Sequence, residues 1–78
     1  MGRIKKVYIT PKVILFKGEM DLETSIEYLR LGNEVIVNVS LVSIKKRYRV
    51  IDFLSGFVMA YQGKRKKLEE NIYSFKIN

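Results

Sequence analysis

The fold of this chain is decided by residues 43–63, which read SIKKRYRVIDFLSGFVMAYQG. Apolar residues recur here three and four positions apart, a spacing that is typical of a helix with an apolar stripe. Ser43, or the earlier Ser40, can cap the start of such a helix, and Gly63 is placed to end it. We therefore predict a long helix over about residues 43–62.

This predicted helix carries two apolar stripes. The first stripe is expected to pack on a sheet and comprises Ile44, Ile51, Leu54, Val58 and Tyr61. The second stripe lies on a different face and comprises Val50, Phe53, Gly56, Phe57 and Ala60. A glycine inside a helix costs about 1 kcal/mol relative to alanine, which close approach of another backbone can offset. We therefore predict a homodimer whose interface is the second stripe. The alternative is that the true helical phase differs from the predicted one by one face and that Gly56 has no role in an interface.

The rest of the chain alternates between strands and helices. The predicted elements are a strand over about 12–17, a helix over about 21–31, a strand over about 35–39 and a hairpin of 64–68 with 72–77. Asp21 is expected to cap the first helix, and Gly32 to follow its end in a left-handed conformation. The β-branched run from Val35 to Val39 is typical of a central strand that is buried on both faces.

The order β-α-β-α-β-β predicts a single α/β (α+β) domain with two layers. We expect a two-layer sandwich in which a mixed sheet of four to five strands is covered on one face by two helices. Residues 1–11 are predicted to be a short basic lead-in, with an edge strand at about 7–9, and residues 12–78 to be the core domain.

The uncovered face of such a sheet is expected to be a second contact surface. Apolar side chains that point away from the helices would leave a patch that monomers avoid, and that patch could join dimers into a higher polymer. The candidates are Val13, Leu15, Val35 and Val37.

The composition excludes most kinds of active site. The chain contains no His and no Cys, which removes imidazole bases, thiol nucleophiles and nearly every zinc site. We therefore expect a protein that is not an enzyme and that needs no cofactor and no metal. Apolar runs are far shorter than the roughly 20 residues needed to span a bilayer, so a cytoplasmic location is expected.

The net charge of +7, from 15 Lys and Arg against 8 Asp and Glu, indicates an acidic partner. Two runs concentrate this charge: residues 45–49, which read KKRYR, and residues 64–67, which read KRKK. Tyr48 is expected to face inward, and the second run can protect a sheet edge. The alternative function is a small basic nucleic-acid-binding module. An acidic peptide is favoured, because no helix-turn-helix or aromatic RNA-binding signature accompanies the runs.

Three segments resemble the SepF family of cell division proteins. Residues 49–63, RVIDFLSGFVMAYQG, are similar to the family's central helix, R-x-V-D-F-L-S-G-x-V-Y-A-x-x-G. Residues 32–39, GNEVIVNV, are similar to its strand G-x-x-V-V-V-N-L. The hairpin of residues 64–68 and 72–77 looks like the family's last strands, so the resemblance covers about residues 12–78.

The resemblance implies a dimeric α/β sandwich that binds the C-terminal tail of FtsZ, the tubulin-like division protein. It implies a place at the division site on the inner membrane face, and self-association through the S-G element of the central helix. The family's basic and aromatic partner-binding positions fall nearest Arg47 and Phe53, although Lys45, Lys46 and Arg49 are also within reach of the basic position. We expect Arg47, with Lys46 as its substitute, to meet carboxylates of the tail, and Phe53 or Phe57 to be the aromatic anchor. No nucleic acid is expected as a partner.

The chain also departs from the family pattern at its start. Family members usually begin with an amphipathic membrane-binding helix and a flexible linker, whereas residues 1–11 are too short and too β-branched for an interfacial helix. We expect either a chain trimmed to its core, with membrane contact only through a segment not present here, or a copy that does not bind membrane itself. The compact ending and the preference for Ile, Lys and Glu are similar to archaeal members.

Overall fold

The computed structural model describes residues 11–77. The predicted edge strand at 7–9 lies outside these residues, as does most of the predicted lead-in. In chain order the elements are β1 (Lys12–Leu15), α1 (Glu19–Arg30), β2 (Val35–Asn38), α2 (Ile44–Ala60), β3 (Lys64–Glu69) and β4 (Ile72–Lys76). The predicted order of strands and helices is therefore confirmed over the described range.

The four described strands form one sheet in the order β1-β2-β4-β3. β1 runs parallel to β2, whereas β4 runs antiparallel to both β2 and β3. α1 lies on the crossover between the two parallel strands and packs on them, while α2 packs on the β3–β4 hairpin. The predicted sandwich of two helices on a mixed sheet is confirmed.

The core lies between the helices and one face of the sheet. The sheet contributes Ile14, Val35, Val37 and Phe75, and the helices contribute Leu29, Ile51, Leu54 and Val58, all of them buried. The prediction that β2 is buried on both faces is wrong, because Ile36 and Asn38 on its other face are half-buried. Both helices pack on the same side of the sheet, so within residues 11–77 no second layer covers the opposite side.

The outer sheet face is the face that points away from the two helices. Val13 and Leu15 of β1 lie on it and are 73% and 45% exposed. Val35 and Val37 point the other way, into the core. Of the four candidates for an apolar patch, two therefore contribute to it, and the half-buried Ile36 lies beside them as the register partner of Val13.

α1 begins two residues earlier than its sequence predicts, because the capping residue is Gly18 and not Asp21. Asp21 is the third residue of the helix. Its carboxylate accepts hydrogen bonds from the backbone N–H groups of Lys17, at 2.7 Å, and Gly18, at 3.0 Å. At the other end Gly32 has a φ of 94°, which confirms the predicted left-handed glycine after the helix.

Replacing Asp21 with alanine is expected to lower the free energy of unfolding by about 1 kcal/mol at neutral pH, since two helix-start N–H groups lose their acceptor. The hydrogen bond from Lys17 holds the pKa of the Asp21 carboxyl below its ordinary value. A lowered pKa in the folded state means that this stabilisation is present above the ordinary pKa and is lost as the pH falls through the folded value. Urea titrations across the acid range check this.

The matched control for this prediction is Glu23→Ala, which removes an exposed carboxylate from the same helix. The control is expected to change the free energy of unfolding little, as surface substitutions usually do. An Asp21→Ala variant as stable as the parent protein at neutral pH would contradict the capping role.

α2 begins at Ile44, and Ser43 rather than Ser40 caps it. The Ser43 hydroxyl accepts a hydrogen bond from the backbone N–H of Lys46 at 3.3 Å. The helix ends at Ala60, and Gln62 takes the left-handed conformation, with a φ of 60°. The predicted helix is therefore confirmed, with an end two residues earlier than expected.

The prediction that the first stripe of α2 packs on the sheet is confirmed at the centre of the helix and is wrong at its ends. Ile51, Leu54 and Val58 are buried, but Ile44 is 62% exposed and Tyr61 is 53% exposed. A helix of 17 residues is about 25 Å long, whereas a strand of 5 residues such as β4 spans about 17 Å, so the helix ends extend past the sheet. Tyr48 is 70% exposed, so the expectation that it faces inward is wrong.

Candidate functional site

The second stripe of α2 lies on the side of the helix that points away from the sheet. Val50 and Phe57 are half-buried, whereas Gly56 and Ala60 are exposed and Phe53 keeps 49% of its surface in contact with solvent. A Cβ atom added at Gly56 would meet nothing within 4 Å outside its own helix. The stripe is therefore an apolar surface that no described part of this chain covers.

A cavity of about 220 Å³ opens beside the first half of this stripe, between α2 and the start of α1. Its α2 wall consists of Lys46, Arg49, Val50 and Phe53. The opposite wall and floor consist of Phe16, Gly18, Glu19, Leu22 and Val42. We call this the α1–α2 cavity, and its lining combines two aromatic rings and aliphatic side chains with two cations.

The charges at the α1–α2 cavity favour a ligand that carries carboxylates. Neither Lys46 nor Arg49 has a carboxylate within 4.0 Å in the part of the chain that the structure describes. Glu19 is the one acidic residue in the lining, which leaves a net charge of +1 around the cavity. An extended segment with an apolar side chain and a neighbouring carboxylate fits this arrangement, because the ring can hold the apolar group while a cation meets the carboxylate.

The structure places Arg47 outside the α1–α2 cavity. Its guanidinium donates hydrogen bonds to the carbonyl oxygens of Val42, at 2.9 Å, and Ser40, at 3.1 Å, and to Oδ1 of Asn71, at 3.2 Å. These bonds tie α2 to the preceding loop and to the β3–β4 turn. Six positions along a helix place Arg47 about 120° around the axis from Phe53. A contact between Arg47 and a peptide partner stays a prediction.

Of the predicted binding residues the structure brings together Phe53 and Lys46, and of the other basic candidates it sets Arg49 beside them. Helix spacing could have indicated this set, because positions four and seven residues before Phe53 lie on the same face. Phe57 lies one turn further along and does not line the cavity; its ring packs against that of Tyr61, with centroids 5.2 Å apart.

None of the described helices is long and apolar enough to cross a membrane. The family model of "Cell division protein SepF" matches residues 12–75 of the chain. A protein named "Cell division protein SepF 2" from Desulforamulus reducens is 36% identical over 55 residues, which are 70% of this chain and 34% of that protein.

Further relatives carry the same family name. "Cell division protein SepF" from Halalkalibacterium halodurans is 33% identical over 72 residues, 90% of this chain and 48% of that protein. The protein of that name from Synechococcus sp. (strain JA-3-3Ab) is 36% identical over 50 residues, 64% of this chain and 26% of that protein. The chain thus spans less than half the length of each of these relatives.

Proposed function

The chain belongs to the SepF family of cell division proteins, and from that premise we propose that it is an adaptor of the division machinery. It binds the C-terminal tail of FtsZ in the α1–α2 cavity and forms a homodimer through the second stripe of α2. The proposal places it at the division site, on the inner face of the membrane. The observation that carries it is the joint position of Phe53 and Lys46 at one cavity beside that stripe.

The chemistry of the α1–α2 cavity suits a tail of the FtsZ type, which by the family resemblance is short and carries both acidic and apolar residues. Phe53 is half exposed, so its ring is accessible as an anchor for an apolar side chain. Lys46 and Arg49 stand on the same wall to meet carboxylates. Because the tail is disordered when free, its ordering opposes binding, and we expect a micromolar dissociation constant for a single site.

The dimer proposal rests on the shape and charge of the second stripe. Two copies of α2 that cross near Gly56 can approach closely, since the space beside this glycine is open. In an antiparallel crossing, the basic N-terminal halves of the two α2 helices lie apart from each other. This crossing also sets each of them beside the last turn of the opposite helix, whose carbonyl groups carry partial negative charge. A parallel crossing would bring two runs of like charge together.

A dimer of this kind would hold two α1–α2 cavities, and an FtsZ polymer presents many tails. Simultaneous engagement raises the apparent affinity well above that of one site without any new contact. The outer sheet face, with Val13 and Leu15 exposed on it, is the surface through which dimers would assemble further.

Phe53→Ala and Lys46→Glu are each expected to weaken binding of a synthetic FtsZ tail peptide at least about tenfold, as loss of an anchor or reversal of a charge contact does. Isothermal calorimetry with the full chain measures the change. Matched controls are Tyr48→Ala and Lys45→Glu, which alter an exposed aromatic and an exposed lysine of the same helix outside the cavity. Both controls are expected to bind within about twofold of the parent protein.

Sedimentation of each variant separates loss of the cavity from loss of the dimer, because Phe53 belongs to both surfaces whereas Lys46 belongs to the cavity. A dimeric Lys46→Glu variant with weakened binding supports the proposed site. If Lys46→Glu and Phe53→Ala both bind the peptide as the parent does, the tail does not bind in this cavity.

A further inference from the structure

β3 lies at the edge of the sheet and pairs with β4 on one side. On its other side no strand from residues 11–77 accompanies it, and all six of its residues are exposed. A register shift between Lys67 and Glu69 interrupts the pairing, so the regular part of this edge is residues 64–67. We call these four residues the free edge. Regular, exposed backbone of this kind is a template for one more strand.

Three lysines project from the outer sheet face at the free edge. Lys64 and Lys66 lie on this face, and Lys76 of β4 is the register partner of Lys64. Among the described residues none of the three has a carboxylate within 4.0 Å, and Glu34 beside them accepts a hydrogen bond from the Ser74 hydroxyl. Like charges directly opposite each other, as Lys64 and Lys76 are, destabilise the pairing of strands. The cluster therefore favours an anionic partner.

The other side of the free edge borders a groove between α2 and β3. The groove has a volume of about 580 Å³ and is lined by Ser55, Met59, Gly63 and residues 64–66. Arg65 reaches across it to donate a hydrogen bond to the Ser55 hydroxyl at 3.1 Å. Met59, which is 62% exposed, and the aliphatic stem of Arg65 give the groove an apolar wall.

We infer that the free edge docks an extended peptide in which acidic and apolar residues alternate, and that this peptide adds to the sheet as a strand beside β3. Successive side chains of a strand point to opposite faces, so acidic residues meet Lys64 and Lys66 while apolar residues enter the groove beside Met59. A second copy of β3 is excluded as the occupant, because pairing two free edges would oppose four basic residues to four more.

The test uses the full chain and a synthetic peptide. The peptide is as long as β3, and Glu and Val alternate along it. A second peptide of the same composition carries its Glu residues in one block and its Val residues in another. The alternating peptide is expected to bind at least about tenfold more tightly than the block peptide at physiological salt. The block peptide has the same net charge, but as a strand it cannot direct all its Glu residues to the lysines and all its Val residues to the groove. Amide hydrogen exchange within residues 64–67 is expected to slow when the alternating peptide binds.

The charge requirement is tested with the double variant Lys64→Glu/Lys66→Glu. Its matched control is Lys17→Glu/Arg30→Glu, which makes the same change in net charge at exposed positions near α1. The first variant is expected to lose at least about tenfold in affinity for the alternating peptide, and the control to lose less than about threefold. Circular dichroism verifies that both variants are folded.

Three results would overturn the inference. If the alternating and block peptides bind equally, charge attraction alone accounts for binding, and the peptide does not add to the sheet as a strand. Loss of binding in Lys46→Glu with unchanged binding in Lys64→Glu/Lys66→Glu would place the peptide in the α1–α2 cavity instead. Binding of single-stranded DNA that depends on Lys64 and Lys66, with no binding of the alternating peptide, would make the free edge a nucleic-acid surface.

Discussion

Replacing Gly63 with alanine is expected to lower the free energy of unfolding by about 3 kcal/mol or more, a large part of the stability of a domain of this size. A Cβ atom at this position would lie 2.2 Å from the carbonyl oxygen of Lys76, 2.8 Å from Cα of Ile77 and 2.9 Å from the carbonyl oxygen of Val58. All three neighbours are backbone atoms, so no side-chain rotation relieves the contact.

The physical reason is that Gly63 lies where the end of α2 meets the end of β4. Its N–H donates to the carbonyl oxygen of Val58 at 2.6 Å, which draws the first residue after the turn against the helix. A methyl group here would push the β3–β4 hairpin away from α2 and open the core around Val58 and Phe75. Urea unfolding followed by circular dichroism measures the loss.

Gly18→Ala is the matched control for Gly63→Ala. A Cβ atom at Gly18 meets nothing within 4 Å, and its φ of −167° is extended backbone that any residue adopts. The control is expected to cost no more than about 1 kcal/mol, the difference between glycine and alanine at a helix cap. Equal losses in the two variants would show that the close packing at Gly63 is not what stabilises this junction.

Replacing Gly56 with lysine is expected to weaken the proposed dimer at least about a hundredfold, since a charged side chain would enter a surface where two helix backbones meet. The free energy of unfolding of the monomer is expected to change little, because the space beside Gly56 is open and lysine is a good helix former. Sedimentation equilibrium over a range of protein concentrations measures the dimer dissociation constant.

Tyr48→Lys is the matched control for Gly56→Lys, because it places the same charge at an exposed position of α2 outside the second stripe. We expect this variant to dimerise as the parent protein does. If Gly56→Lys and Tyr48→Lys both remain dimeric, the dimer interface does not lie on the second stripe of α2. The outer sheet face would then be the surface to test next.

The elements of this fold could be predicted from local sequence because each carries its own signal. The core face of α2 follows from the spacing of Ile51, Leu54 and Val58, which any helix of that sequence must place on one side. Gly32 could be recognised because left-handed backbone after a helix nearly requires glycine. The sequence does not distinguish a carboxylate at the cap, which accepts from N–H groups within the first turn, from one three residues later, which accepts from the N–H of the cap as Asp21 does.

The candidate site could be predicted in part. Phe53 and Lys46 belong to a short segment in which the family resemblance and the helical spacing predict a binding surface. In the structure both residues line the same cavity. Helix spacing sets Arg49, and not Arg47, on the same face as Phe53, but it does not show that a cavity lies beside that face. Whether a cavity lies there depends on where the start of α1 lies relative to α2, and Arg47 instead bonds to Ser40 and Val42.

The order of elements, the two stripes of α2 and the excess of positive charge can be predicted from sequence, because these depend on residue type and on spacing within one segment. Only the packed structure shows which residues border the α1–α2 cavity, that β3 is one of the two edge strands among residues 11–77 and carries basic residues on both faces, and that Gly63 must be glycine. Each of these depends on contacts between segments far apart in the chain. The helix ends at Ala60, before Gly63, and the close contact with the Lys76 carbonyl oxygen explains why no other residue fits at Gly63.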